Sequence, residues 1–126
     1  MKYNVLKRQN PLNREEEKYY LNARMLGHIG LGTICEEIAL ASSLTRGDVV
    51  NTIMSYHDSV VKYLRMSFSV SLGELGNLRL SLGSYGAETI EEVNTSLLKF
   101  IRPVFVASPK LRKEIQNTSL ELFPIA

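Results

Sequence analysis

Apolar and polar positions repeat with a period of two at both ends of the chain and with a helical period between them. Residues 3–9 and 18–25 alternate loosely and are rich in aromatic and β-branched side chains, which predicts two strands. Asn10-Pro11-Leu12-Asn13 between them is a turn signal. Arg14 and the run Glu15, Glu16 and Glu17 read as a solvated loop edge, so a β-hairpin with a polar loop is expected over residues 1–26. Gly27, Gly30 and Gly32 then open a helix over residues 31–42, with Leu31, Ile34, Cys35 and Ile38 on one face. Thr45 and Asp48 resemble a capping box at the start of a second helix over residues 46–65. Its Val49, Val50, Ile53, Met54, His57, Val60, Val61 and Leu64 recur at helical spacing over about five turns, a length of about 30 Å.

After Met66 the period returns to two. Phe68, Val70 and Leu72 alternate with serines, Gly73-Glu74-Leu75-Gly76 is a turn, and Leu78, Leu80 and Leu82 alternate with polar residues. A polar, acidic excursion over residues 83–96 carries Glu88, Glu91 and Glu92. A third alternating run covers residues 97–106, with Pro103 marking an edge position or a bulge. Pro109 starts a short helix over residues 110–117, and an apolar tail with Leu120, Leu122, Phe123 and Ile125 closes the chain. This order predicts an α+β fold with an antiparallel sheet.

Composition adds one bound. With 126 residues, 44% of them hydrophobic and 22% charged, the chain reads as a single soluble domain. The net charge of +2 is too small to identify a partner, but its distribution is uneven. Residues 1–26 carry +3, residues 27–66 and 67–102 carry −1 each, and residues 103–126 carry +1. The single cysteine, Cys35, suits a reducing compartment and reads as a small buried hydrophobe. The start of the chain has no apolar stretch of the signal-peptide kind, and no apolar run reaches the roughly 18 residues of a membrane span. A cytoplasmic protein is expected.

From Leu31 onward the order of elements resembles the HU and integration-host-factor family of bacterial nucleoid proteins. Residues 71–80, Ser-Leu-Gly-Glu-Leu-Gly-Asn-Leu-Arg-Leu, resemble that family's turn between its first two strands. Phe105 followed by Leu111, Lys113 and Ile115 resembles its final strand and helix. The histone-like, HU-related branch of the Bacteroidetes is closer still. Its added N-terminal segment is matched by Lys7-Arg8-Gln9-Asn10-Pro11 and Glu17-Lys18-Tyr19-Tyr20, and its arm by residues 86–93, Gly-Ala-Glu-Thr-Ile-Glu-Glu-Val. The resemblance implies an HU-like fold: two N-terminal helices, a three-stranded antiparallel sheet with a protruding arm, and a short C-terminal helix. The N-terminal hairpin is an addition to it. The chain is then a single HU-like domain, with residues 1–26 as the hairpin, 27–117 as the core and 118–126 as a tail.

The same resemblance implies a histone-like architectural protein of the nucleoid, working as a homodimer on double-stranded DNA without cofactor, membrane or small-molecule substrate. Two departures stand out: there is no proline between Gly83 and Arg102, where the family inserts one between base steps, and the arm's centre is acidic. Contact through phosphates with little sequence preference needs cations along a surface. Arg79, Lys99, Arg102, Lys110, Arg112 and Lys113 are the candidates, with Lys7 and Arg8 behind them. Lys99 and Arg102 are three positions apart, so they share a face only if a bulge or the arm's edge intervenes. Phe68, Leu75, Leu78, Phe100 and Phe105 are the expected dimer interface.

The runner-up is a protein-interaction or dimerisation module without DNA binding, which the acidic arm favours. Enzyme chemistry finds no support. Ser55, His57 and Asp58 are too close along a helix to face one another, and two histidines with one cysteine make no zinc constellation. Paired carboxylates such as Glu36-Glu37 read as solvated faces, and His57 as a packed or interface histidine. Gly27-x-x-Gly30-x-Gly32 lacks the dinucleotide spacing and reads as a turn.

Overall fold

The computed structural model describes residues 1–123. The chain begins with β1 (Lys2–Asn10) and β2 (Asn13–Ala23), antiparallel and joined by Pro11 and Leu12. Two asparagines shape the turn. The Leu12 N–H donates to Asn10 Oδ1 (3.0 Å) and the Glu15 N–H to Asn13 Oδ1 (3.2 Å), so each side chain stands in for a backbone acceptor. The turn is thus tighter than its composition suggests, and Arg14 and the three glutamates lie within β2 rather than in a loop.

Two helices follow, α1 (Leu31–Ala41) and α2 (Arg46–Arg65). Thr45 caps α2 in both directions: its hydroxyl accepts from the Asp48 N–H (3.1 Å), and Asp48 Oδ2 accepts from the Thr45 N–H (3.2 Å). These satisfy two donors that a helix start otherwise leaves open. Cys35 of α1 is completely buried, and α2 contributes Val49, Val60 and Leu64 to the same core. His57 does not join them. It lies at the margin of that stripe, exposed, with Nδ1 3.3 Å from Asp58 Oδ1.

The second half of the chain forms β3 (Val70–Ser71), β4 (Gly76–Ser84) and β5 (Leu98–Ala107), antiparallel in the order β3-β4-β5. A 3-10 turn, Gly73–Leu75, links the first two. At its end Gly76 has φ 147°, and a Cβ there would come within 2.1 Å of the Val106 carbonyl oxygen, so the turn requires glycine. Then α3 (Pro109–Gln116) starts on Ser108, whose hydroxyl accepts from the Leu111 N–H (3.0 Å) while its N–H donates to the Leu75 carbonyl (3.0 Å). That pair of bonds fixes α3 against the 3-10 turn. α2 packs on β3 and β4 from one side.

The tail overturns the expected architecture. Residues Glu121–Leu122 form β6, parallel to β1, with Lys2 opposite Glu121 and Tyr3 opposite Leu122. The Glu121 N–H donates to the Met1 carbonyl (3.0 Å) and the Phe123 N–H to the Tyr3 carbonyl (2.8 Å). The fold is therefore α+β with two three-stranded sheets, β2-β1-β6 and β3-β4-β5, and not an HU-like body of one three-stranded sheet and arm with a separate hairpin and a loose tail. A two-residue strand has no readable period, and its pairing partner lies at the far end of the chain, so local pattern could not reveal it. The expected arm is also shorter than a ribbon. The paired strands stop at Ser84 and Leu98, and residues 85–97 form a loop with two 3-10 turns, pinned by the Tyr85 N–H to Leu97 carbonyl bond (2.9 Å). Ile125, counted above with the apolar tail, lies outside the described residues.

Candidate nucleic-acid interface

The register of β4 and β5 sorts their side chains into two faces. Leu78 pairs with Phe105, Leu80 with Pro103 and Leu82 with Ile101, which makes one face apolar. Arg79 pairs with Val104, Ser81 with Arg102 and Gly83 with Phe100, which makes the other face polar. Arg79 and Arg102 are diagonal neighbours on it, a separation that long side chains bridge.

Lys99 joins them through an irregularity. Phe100 pairs with Gly83 but Leu98 pairs with Ser84, so Lys99 is an extra residue in β5. One extra residue reverses the alternation. Leu98 therefore falls on the face of Leu82, and Lys99 lies with Phe100 and Arg102 on the polar one. Gly83 makes room for this packing: a Cβ there would be 2.4 Å from the Phe100 ring. The Arg102 guanidinium then stacks 3.6 Å from the centre of that ring, and the Lys99 ammonium stands 5.4 Å from the centre of Tyr85. Both cations rest on aromatic faces, which hold them in place without neutralising them. Among the described residues none of Arg79, Lys99 and Arg102 has an ion-pair partner.

The other three candidates lie elsewhere. Lys110 is held by Glu74 (Nζ–Oε1 2.7 Å) and lies 3.8 Å from Glu114, one turn on. Its charge is locally balanced. Arg112 and Lys113 project from α3, beyond the Ala107 end of β5. Eight residues of extended strand, about 27 Å, separate that end from Lys99. The six candidates thus divide into a cluster of three, two outlying cations and one paired lysine.

The five apolar candidates divide as well. Leu78 and Phe105 share the apolar face, and Phe68 meets Tyr63 edge-on at 6.3 Å. Leu75 stands exposed on the 3-10 turn. Phe100 lies on the opposite face, under Arg102. Beside the apolar face is a groove of about 600 Å³ between the end of α2 and β4, lined among others by Leu64, Phe68, Leu80, Leu82 and Ile101. It exists because β3 pairs only with Asn77 and Leu78, which leaves the β4 edge open from Arg79 onward.

The N-terminal hairpin holds a signal that composition alone left weak. Lys7 pairs with Glu17 (2.7 Å), and Gln9 also donates to that carboxylate (3.1 Å). The Lys7 ammonium, with help from Gln9, holds the Glu17 carboxyl below the usual glutamate range. Arg8, on the other face, stands opposite Lys18. Among the described residues no group of three or more histidine, cysteine or carboxylate side chains is placed to hold a metal ion, and no helix is long and apolar enough to cross a membrane.

Comparison with known proteins sets this geometry in a family. Residues 1–122 match the family model described as an HU domain fused to wHTH, Ig, or glycine-rich motif, and the chain belongs to that family. A solved structure from Bacteroides vulgatus, of a protein put forward as a bacterial DNA-binding protein, superposes with a TM-score of 0.65 at 13% sequence identity. The match covers 96% of this chain and 47% of that one, so the chain spans about half the length of that relative. At this identity the likeness is one of fold. No curated protein matches.

Proposed function

We propose that this chain is an architectural DNA-binding protein that works as a homodimer and contacts duplex DNA mainly through phosphates, with little sequence preference. The observation that carries the reading is the convergence of Arg79, Lys99 and Arg102 on one face of the β4–β5 pair through the bulge at Lys99. Two of them are backed by aromatic rings and none is balanced by a carboxylate among the described residues. Such an array neutralises a polyanion without reading base edges. Arg112 and Lys113 extend the contact from α3, and Lys110 contributes least because Glu74 holds it. Membership of an HU-domain family supports the reading, as does the fold shared with a protein put forward as DNA-binding. A nucleoid, cytoplasmic setting and the absence of catalysis follow from it as expectations.

Surface area supports the dimer. The chain exposes 10938 Å², whereas a compact monomer of 14.2 kDa exposes about 6,800 Å². The difference, about 4,000 Å² on one chain, exceeds the roughly 1,000–2,500 Å² per partner that an obligate interface buries, so a second copy finds more than enough surface to cover. Phe68, Leu75 and Phe105 are all more than half exposed, and the groove beside β4 is open. A second copy covers these surfaces. Phe100 is the weakest member of the proposed interface because its ring already carries Arg102.

Binding of a labelled duplex across a salt series tests the DNA reading. The logarithm of the affinity falls with the logarithm of salt by about 0.9 per phosphate neutralised, and replacing Arg79, Lys99 and Arg102 together by Ala flattens that slope by about 2–3 for each subunit engaged. Undetectable binding at low salt sinks the reading. A second reading, a protein-interaction module, draws on one feature: the loop at residues 85–97 carries Glu88, Glu91 and Glu92 around Ile90, which is 83% exposed. Wild-type protein that is dimeric but inert toward DNA favours that alternative. Sedimentation at twice the 14.2 kDa chain mass is the expected result for the dimer, and a monomer at micromolar concentration overturns it.

A further inference from the structure

The hairpin's alternation separates its charges by face. Lys2, Arg8 and Lys18 lie on one face of β1 and β2, and Glu16 lines the same hollow as Arg8 and Lys18. Lys7 lies on the other face with Glu17. The mixed charges of the paired positions thus become, once the register is known, a cationic face and a balanced one. On the cationic face Lys2 is taken by Glu121 (2.6 Å), and Glu16 accepts a hydrogen bond from Asn10 Nδ2 (2.9 Å). Arg8 and Lys18 have no ion-pair partner among the described residues.

Arg8 and Lys18 are directly opposite each other across the strand pair. Like charges in that relation destabilise a hairpin, and a strand pair formed for stability alone has no use for them. Next along the same face is the Leu6–Tyr20 pair, which sets an aromatic ring beside the two cations. Between Lys2, which Glu121 holds, and Arg8 this face carries Asn4 and Leu6, so its free positive charge is concentrated at Arg8 and Lys18. Two adjacent cations without ion-pair partners suit the phosphates of a nucleic-acid backbone.

We propose that this face of the N-terminal hairpin is a second phosphate-contacting surface for duplex DNA, separate from the Arg79–Lys99–Arg102 cluster. The inference rests on the DNA-binding reading above and adds a partner to a segment for which that reading has no role. Arg8 and Lys18 are the contacts, and Lys7 takes no part because it faces away and is held by Glu17.

The test uses the full chain, a labelled duplex and a salt series. In Arg8→Gln/Lys18→Gln the slope of log affinity against log salt drops by about 2 for each hairpin engaged, and low-salt affinity falls about tenfold or more. Lys7→Gln leaves both unchanged. Arg8→Glu separates binding from folding: it creates an opposite-charge pair with Lys18, so the thermal midpoint holds or rises while affinity falls further. Wild-type slope and affinity in the double variant, or an equal loss in Lys7→Gln, overturns the inference while leaving the sheet cluster intact. Wild-type protein without measurable binding at low salt overturns the DNA reading itself, a distinct result.

Discussion

The two sheets of this protein have the same number of strands and are held by different forces. The β3-β4-β5 sheet is backed by α2, and its stability comes from burial around Cys35, Val49, Val60 and Leu64. The β2-β1-β6 sheet draws on other means. It is held by a long antiparallel pairing, a short parallel pairing from the opposite end of the chain, the Lys2–Glu121 ion pair and the Arg24 guanidinium 5.1 Å from the centre of the Phe123 ring. Its apolar side chains, among them Val5, Tyr19 and Leu21, stay exposed. Apolar burial is worth more than exposed ion pairs, so the two sheets should differ in stability, and the second should open first.

The largest perturbation that separates them is in the helical core. Leu64→Ala removes a buried side chain between α2 and the sheet, and a loss of about 2–5 kcal/mol is expected. Denaturant unfolding measures it, and a loss below about 1 kcal/mol breaks the claim that burial on this side carries the fold. Thr45→Ala is next. It removes one half of the α2 capping box and should cost about 1 kcal/mol. Amide exchange in the first turn of α2 should rise, while exchange in β1 stays as it was.

That contrast also explains what the sequence made legible. The Thr45–Asp48 box and the period of α2 are local signals, and the helix runs Arg46–Arg65 as its pattern predicts. The β4–β5 strands and the Pro109 helix start were readable for the same reason. β6 was not, because its hydrogen bonds run to Met1 and Tyr3 at the other end of the chain. Among the cations, Lys99 could be assigned to a face only conditionally, since a bulge is a property of register between two strands. Lys110 looked free because Glu74, its partner, comes from the turn before β4. The opposition of Arg8 and Lys18 was hidden because cross-strand register is set by the turn, and the loop expected around Arg14 left that register open.

On the weaker side, Phe123→Ala removes the ring that Arg24 stacks on and should cost about 0.5–1 kcal/mol. The effect should stay within the N-terminal sheet. Exchange of the Glu121 and Phe123 amides, which bond to β1, should rise about two- to fivefold with no change in α2. An equal rise in α2 would merge the two sheets into one cooperative unit and end the comparison.

Acid gives the smallest effect and tests which groups hold the seam between β1 and β6. The Lys2 ammonium, bonded to Glu121, holds that carboxyl below the usual glutamate range, as Lys7 does for Glu17. A carboxyl whose value is lower folded than unfolded contributes stability that is complete above its unfolded value, about 4.3 for glutamate. That contribution is lost as the pH falls through the lower folded value. Both carboxylates are exposed, so the effect is small and screened by salt. Protection of the Glu121 amide, its exchange rate relative to the intrinsic rate at each pH, should therefore fall below about pH 4, more at low salt than at high. Glu121→Gln should show the lower protection already at neutral pH and lose most of this acid response. If wild type and Glu121→Gln show the same pH profile, strand pairing alone holds the seam and the ion pair contributes nothing to it.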